Sequence, residues 1–74
     1  MDGVEKHLLE GEYRGIWFAV EVWSFPHGRN LLVKSVEVDG LPPRALAKDQ
    51  QQAPTIEQAF EVGEAFAKAL IDSD

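Results

Sequence analysis

A chain of 74 residues is the size of one small domain, and it buries only about 60 to 65% of the surface that its unfolded form exposes. Its 45% hydrophobic and 27% charged residues disfavour disorder and fibrous folds. The net charge of −6 disfavours attraction to phosphate backbones and anionic lipids, and the absence of cysteine excludes disulfides, thiol catalysis and thiolate metal sites.

The first clear element along the chain is a strand in the segment IWFAVEVW. Its residues alternate, so that one face is fully apolar and the other is mixed. The apolar face carries Ile16, Phe18, Val20 and Val22, and the opposite face carries Trp17, Ala19, Glu21 and Trp23. The preceding segment VEKHLLE is a candidate for an added strand, although its periodicity is too short to distinguish a strand from a helical turn.

The segment FPHGRN indicates a hairpin that spans residues 12–39. Pro26 presets the first central position of a type I turn, and Gly28 can adopt the left-handed conformation after it. A loop formed by residues 26–28 fixes the register of the two strands, because residue numbers of cross-strand partners then sum to 54. The predicted pairs are Ile16 with Val38, Phe18 with Val36, Val20 with Lys34, and Val22 with Leu32.

Lys34 is the one polar residue on the apolar face that this register creates. It either lies near an edge of the sheet, with its stem packed and its amine in water, or is turned outward by a β-bulge. Both alternatives remain open in the sequence.

The connection over residues 40–54 is rich in proline and glutamine. A structureless connection of this length is unusual in a small domain, so part of it should form regular structure. We expect a short third strand around Arg44 to Lys48, because two strands alone would be marginally stable.

A helix is predicted over residues 55–72. Thr55 is a favourable N-cap, and Gln58 three residues later completes a capping-box pattern. Its apolar stripe comprises Ile56, Ala59, Phe60, Gly63, Phe66, Ala67 and Leu70. Glycine costs roughly 1 kcal/mol of helix propensity relative to alanine, so Gly63 should be compensated by packing. We interpret it as a notch for a bulky sheet side chain such as Phe18.

The predicted register places five apolar side chains on the hairpin face that points away from the helix: Trp17, Trp23, Phe25, Leu31 and Val33. A protein with one helix has no second helix to cover this face. Either the N-terminal segment or the long connection folds over it, or it is an exposed aromatic patch of the kind that marks interaction sites. These five residues are the candidate interaction site, and a homodimer that buries the tryptophans would also enlarge a small core.

Other kinds of site receive little support. His7 and His27 lack the spacing of a metal site, and we find no catalytic, phosphate-binding or dinucleotide-binding motif. We therefore expect no cofactor, no metal and no small-molecule ligand. No apolar run approaches the roughly 18 residues that span a membrane, and no signal-peptide pattern is present, so we expect a cytoplasmic protein.

Two motifs are similar to those of small uncharacterised bacterial proteins, over about residues 12–72. They are the strand start Tyr13-Arg14-Gly15-Ile16 and the helix pattern formed by Thr55, Ala59, Gly63, Ala67 and Ile71-Asp72. The resemblance implies a curved antiparallel sheet packed by one C-terminal helix, and it implies no activity. The helix opened by threonine also resembles that of HicB-like antitoxins, but their Thr-x-Glu-Glu-Ala start is not reproduced by residues 55–59.

The sequence therefore predicts a single α+β domain over residues 1–74, with an antiparallel sheet of three or four strands packed on one face by one C-terminal helix. We expect a non-enzymatic interaction module that forms a homodimer, or binds another protein, through a sheet edge or the tryptophan-bearing face. One alternative is an acidic antitoxin-type regulator that neutralises a basic partner. A less expected alternative is a nucleic-acid binder that uses Arg14, Arg29, Lys34 and Arg44.

Overall fold

The computed structural model describes residues 3–26, 30–46 and 51–73. These residues form four strands and one helix: β1 Glu5–Tyr13, β2 Ile16–Ser24, β3 Leu31–Val38, β4 Gln52–Ala53 and α1 Ile56–Asp72. The strands make one antiparallel sheet in the order β1-β2-β3-β4, and α1 packs across one of its faces. The predicted α+β fold with a single C-terminal helix is confirmed, and the sheet has four strands.

The N-terminal segment is a strand, which resolves the open alternative in the sequence. β1 pairs with β2 along its whole length, from Glu5 opposite Ser24 to Tyr13 opposite Ile16. The two-residue connection consists of Arg14 and Gly15, whose φ angles are 55° and 76°. Positive φ at both central residues is the geometry of a type I′ turn, whose twist matches that of the flanking strands. Residues 13–16 are therefore a turn and not a strand start, and a first hairpin precedes the predicted one.

The predicted register between β2 and β3 is wrong. Phe18 lies opposite Val38, and Val20 lies opposite Val36. Beyond a bulge between Glu21 and Val22, the partner of Val22 is Val33. Two causes each shift the register by one residue. The connection between β2 and β3 is one residue longer than predicted, and β3 contains one extra residue at the bulge. That connection includes residues 27–29, so the proposed Pro26-His27-Gly28 turn lies largely outside the described residues.

Lys34 is the residue that the bulge adds to β3, since Ser35 pairs with Glu21 and Val33 pairs with Val22. An extra residue reverses which side chains of a strand face the core. Lys34 is consequently exposed, and Val33 is fully buried. The second of the two alternatives for Lys34, a bulge that turns it outward, is confirmed.

The other edge of the sheet is short. Arg44 exchanges two backbone hydrogen bonds of 2.8 Å with Val36 as an isolated bridge. The strand β4 follows only at Gln52–Ala53, opposite Leu31 and Leu32. Of the third strand predicted around Arg44 to Lys48, Arg44 forms this single bridge, Ala45 and Leu46 are not in a strand, and the remaining two residues lie outside the described residues.

The helix begins as predicted, because the Thr55 side chain accepts a hydrogen bond of 3.1 Å from the backbone N–H of Gln58. Ala59, Gly63, Ala67 and Ile71 are buried against the sheet. Gly63 does form a notch for a sheet side chain, and that side chain is Val20. A Cβ at position 63 would lie 2.7 Å from Val20 Cγ2 and closer still to Val20 Cγ1. The ring of Phe18, which we expected there, lies over Gly11 instead. The small residue is thus explained by close approach of the helix to β2.

Candidate interaction surface on the sheet

The strands present a second face that α1 does not cover. Alternation along β1, β2 and β3 places Leu8, Trp17, Trp23 and Leu32 on this face, and Val4 and Phe25 follow the same alternation just beyond the last pair of β1 and β2. We refer to these six residues as the tryptophan face. The opposite side of the sheet, which packs against α1, is the covered face.

The tryptophan face carries the most exposed large hydrophobic side chains of the described residues. Among residues 3–26, 30–46 and 51–73, the large hydrophobic side chains classed as exposed are Val4, Leu8, Trp17 and Phe25, and all four belong to it. Leu8 is 61% exposed, whereas the other three are 37 to 39% exposed. Exposed apolar residues that share one face are more informative than scattered ones, because such patches mark contact surfaces.

Charged side chains cover the polar atoms and part of the rings on this face. Trp17 Nε1 donates a hydrogen bond of 3.2 Å to Glu10, and Trp23 Nε1 donates one of 2.6 Å to Glu21. The ammonium groups of Lys6 and Lys34 lie 4.8 and 5.0 Å from the centre of the Trp23 ring. These distances are those of cation–π interactions. Trp23 is therefore largely covered by its own chain, and Trp17 and Leu8 are the more accessible positions.

The structure separates the five residues predicted as the interaction site. It brings Trp17, Trp23 and Phe25 to the tryptophan face. The predicted positions of Leu31 and Val33 are wrong: Val33 is 0% exposed, and Leu31 packs against the core. The longer connection is the cause, because it shifts the pairing of β3 by one residue up to Val33, and the bulge at Lys34 then restores the predicted facing of Val36 and Val38.

Sequence reasoning missed three members of this face. Leu32 lies opposite Trp23, so it is on the tryptophan face in place of the predicted Leu31 and Val33. Val4 and Leu8 were missed because the segment that contains them was not assigned as a strand. The signal that could have found them is the alternation of His7, Leu9 and Tyr13, which points these side chains toward the core. Leu8 lies between two of these positions, so its apolar side chain must point to the opposite face.

The outer edge of β1 has no partner strand in the described part of the chain. Trp17 lies opposite Glu12, and its carbonyl oxygen accepts a hydrogen bond from the backbone N–H of Asp39 on the β3 side. The Glu12–Trp17 pair is therefore not hydrogen-bonded across β1 and β2, and the backbone groups of Glu12 point to the free edge. By alternation the same holds for the backbone groups of Lys6, Leu8 and Glu10. Among the described residues, β1 is thus a nine-residue edge strand whose outward backbone donors and acceptors have no partner strand.

The helix offers a weaker candidate. Its outer side carries several carboxylates, but Glu64 lies 3.5 Å from the Lys68 ammonium. Asp72 lies 3.3 Å from the Arg14 guanidinium and accepts a hydrogen bond of 3.0 Å from Tyr13. These contacts use part of the negative charge within the chain. They also engage Arg14, one of the residues on which a nucleic-acid interface would depend.

A shallow apolar cleft of about 300 Å³ lies on the covered face, where β1 meets the start of α1. The residues that line it are Leu9, Glu10, Ile56, Glu57 and Phe60. A cleft of this size lies at the lower limit for small-molecule sites, and few polar groups converge in it. It is best regarded as the margin of the core that β1 leaves open.

Metal and membrane sites were also considered. His7 lies in β1 opposite Val22, with Nε2 4.0 Å from a Glu5 carboxylate oxygen. No group of three histidine or acidic residues suited to hold a metal ion occurs within residues 3–26, 30–46 and 51–73. Over the same ranges, no helix combines the length and the apolar character needed to cross a membrane. His27 lies outside the described residues.

Comparisons with profiles of protein families, with curated proteins and with solved structures each found no match. The resemblance to small bacterial proteins and to HicB-like antitoxins therefore stays a prediction.

Proposed function

We propose that this chain is a non-enzymatic protein-interaction module that self-associates through the free edge of β1. The observation that carries the proposal is the coincidence of two features on one strand. Leu8 has the largest exposed fraction of the large hydrophobic residues described, and its backbone groups are directed to the unpaired edge. A second strand placed there would bury an apolar side chain and pair backbone groups at the same time.

The sequence proposed either a sheet edge or the tryptophan-bearing face as the contact, and the structure favours the edge. Trp17 and Trp23 already have hydrogen-bond partners, and Lys6 and Lys34 cover Trp23. Burying that region would require desolvating charged groups, whereas pairing at an edge gains main-chain hydrogen bonds. The tryptophan face is then the surface that an assembled sheet would present to a further protein. A cytoplasmic setting is part of the proposal and is supported by the absence of cysteine, whereas a bacterial source is proposed from the resemblance of residues 12–72.

The test is sedimentation equilibrium over a wide concentration range, with Leu8→Ser and Trp17→Ser compared with the unaltered protein. Both residues are exposed apolar side chains of the tryptophan face, but only Leu8 lies on β1. Burial of a leucine contributes about 1.5–3 kcal/mol, so Leu8→Ser should raise the dimer dissociation constant about tenfold or more. Trp17→Ser should change it by less than about threefold.

Two outcomes would contradict the proposal in different ways. Sensitivity to Trp17→Ser alone would move the contact from the edge to the face of the sheet. A monomer at all concentrations up to about 1 mM, where even weak association is detected, would remove self-association altogether. An acidic regulator with a basic partner would then be the next function to test.

A further inference from the structure

We propose that two copies pair their β1 strands antiparallel, with Leu8 of each copy on the two-fold axis and Lys6 opposite Glu10 of the partner subunit. This inference rests on the proposed self-association and specifies its register. The axis is perpendicular to the sheet, so both α1 helices lie on one side of an eight-stranded sheet. The two tryptophan faces then form one continuous surface on the other side.

Backbone direction limits the possible registers. The groups directed to the free edge belong to Lys6, Leu8, Glu10 and Glu12. In an antiparallel pair, outward-directed residues of one strand bond with outward-directed residues of the other. A two-fold dimer must also be self-complementary, so that each contact occurs twice. Only a few registers satisfy both conditions.

Most of these registers are unfavourable because of the charges that they place opposite each other. A two-fold axis at Lys6 or Glu10 places two like charges opposite each other, and like charges directly opposite are destabilising. A register that sets Lys6 opposite Leu8 of the partner subunit forms no ion pair between these residues. Two registers remain that give Lys6 an acidic partner: one faces it with Glu10 and the other with Glu12.

Leu8 decides between the two remaining registers. When Lys6 faces Glu10 of the partner subunit, the two Leu8 side chains face each other and bury the apolar surface that is 61% exposed in one copy. When Lys6 faces Glu12 of the partner subunit, each Leu8 faces a Glu10 carboxylate instead. Apolar against apolar is the favourable arrangement, because a carboxylate beside a buried leucine is desolvated without a partner.

The surrounding charges are compatible with this arrangement. Lys6 lies over the Trp23 ring and Glu10 accepts the Trp17 hydrogen bond, so both charged groups lie above the tryptophan face. On the covered face, the same register places His7 of the partner subunit opposite Leu9, beside the apolar cleft. A second copy would therefore close part of the margin that β1 leaves open.

The experiment is a charge exchange followed by sedimentation equilibrium. In a dimer of Lys6→Glu, the glutamate at position 6 of each copy lies opposite Glu10 of the other copy, so two pairs of carboxylates repel. In a dimer of Glu10→Lys, two pairs of ammonium groups repel in the same way. Each variant should raise the dissociation constant about tenfold or more, because attraction is replaced by repulsion at two positions. An equimolar mixture of the two variants recreates two opposite-charge pairs, so a heterodimer should form within about threefold of the original affinity.

Two matched controls separate the register from a general effect of charge. Lys34→Glu makes the same charge change beside the same Trp23 ring, but on β3. It should leave the dissociation constant within about threefold. Glu12→Lys makes the same charge change as Glu10→Lys on the same strand and face, but it keeps both Lys6–Glu10 pairs, so it should leave the dissociation constant within about threefold. Its heterodimer with Lys6→Glu contains one like-charge pair and should therefore bind more weakly than the heterodimer formed with Glu10→Lys.

Each remaining outcome overturns a defined statement. Recovery with Glu12→Lys in place of Glu10→Lys would shift the register by two residues and remove Leu8 from the axis. A dimer that is disrupted by Leu8→Ser but unaffected by both charge variants would overturn this pairing and leave self-association in place. An unaltered protein that stays monomeric would overturn both. Near-UV circular dichroism of each variant establishes that it is folded.

Discussion

The two faces of the sheet are built from the same strands, yet they accommodate aromatic side chains in different ways. On the covered face, Phe18 is 0% exposed, its ring lies over Gly11, and its centroid is 6.2 Å from that of Phe60. On the tryptophan face, Trp17 is 37% exposed and is held by a hydrogen bond to Glu10. The Phe18 ring is enclosed by close packing, whereas the Trp17 ring is covered by long charged side chains.

This difference indicates where each face tolerates change. Close packing leaves no room for an added methyl group, because interiors are as dense as organic crystals. Long charged side chains can move aside or cover a ring with their stems at little cost. Stability should therefore depend on the covered face, and association should depend on the side of the sheet that carries Leu8.

The largest expected effect comes from truncating the enclosed ring. Phe18→Ala should lower the free energy of unfolding by about 3–5 kcal/mol, because it leaves a cavity beneath α1. A domain of this size has roughly 4–11 kcal/mol in total, so the variant will be close to unfolded. Trp17→Ala should cost less than about 1 kcal/mol, since the ring is partly exposed and its hydrogen bond is at the surface. Urea unfolding followed by far-UV circular dichroism measures both.

Phe18→Leu provides a folded control if the alanine variant does not fold. Leucine keeps most of the apolar volume, so its cost should lie between the two alanine variants. If Trp17→Ala and Phe18→Leu were equally destabilising, the two faces would not differ in the way described.

A smaller effect tests the notch in the helix. Gly63→Ala gains about 1 kcal/mol of helix propensity but places a methyl group against Val20, which is fully buried. Overpacking costs about 1–3 kcal/mol, and the contacts here are short enough to require a shift of the backbone. We expect a net loss of up to about 2 kcal/mol in the free energy of unfolding.

Val20→Ala supplies the matched background, because it removes both methyl groups that crowd position 63. In that background Gly63→Ala should be stabilising by about 0.5–1 kcal/mol, the usual helix-propensity gain. A reversal of sign between the two backgrounds establishes that Val20 explains the glycine. A stabilising Gly63→Ala in the original protein would leave the glycine without a packing explanation.

The covered face was also the more predictable one. Thr55, the apolar stripe of α1 and the alternation of β2 are local patterns, so the sequence indicated the helix and its partner strand correctly. The register failed because it depends on the length of the connection and on the bulge at Lys34, where the alternation of β3 is interrupted. A polar residue in an apolar series is compatible with both a bulge and an edge, and only the tertiary pairing distinguishes them.

The candidate site was predicted only in part for the same reason. Trp17, Trp23 and Phe25 belong to one strand and its extension, whose facing does not depend on the bulge. Leu31 and Val33 precede the bulge in β3 and were assigned to the wrong face. The strand β1 was not assigned because the periodicity of the segment VEKHLLE is too short to distinguish a strand from a helical turn, and Arg14-Gly15 is not one of the usual type I′ turn pairs. The prediction therefore named a sheet edge as a possible contact but did not identify it as β1.

The smallest expected effect concerns how Trp23 is covered. Lys34→Met keeps an aliphatic stem of similar length and removes the charge that lies 5.0 Å from the ring centre. If the ammonium group contributes, the variant should lose about 0.5–1 kcal/mol of unfolding free energy, and this loss should shrink at high salt.

Trp23→Leu completes the double-mutant cycle by removing the ring on which the ammonium group acts. In that background Lys34→Met should have almost no effect, which gives a coupling free energy of about 0.5 kcal/mol or more. If Lys34→Met were neutral in both backgrounds, the stem alone would cover the ring. Apolar contact would then protect aromatic side chains on both faces, and the faces would differ only in whether the covering side chains belong to a helix. A measurable coupling instead makes charge part of how Trp23 is covered, in contrast to Phe18, over which no cation lies within the described ranges. Cations also lie over the Tyr13 ring at the margin of the covered face, so the contrast is between the enclosed ring and the partly exposed one.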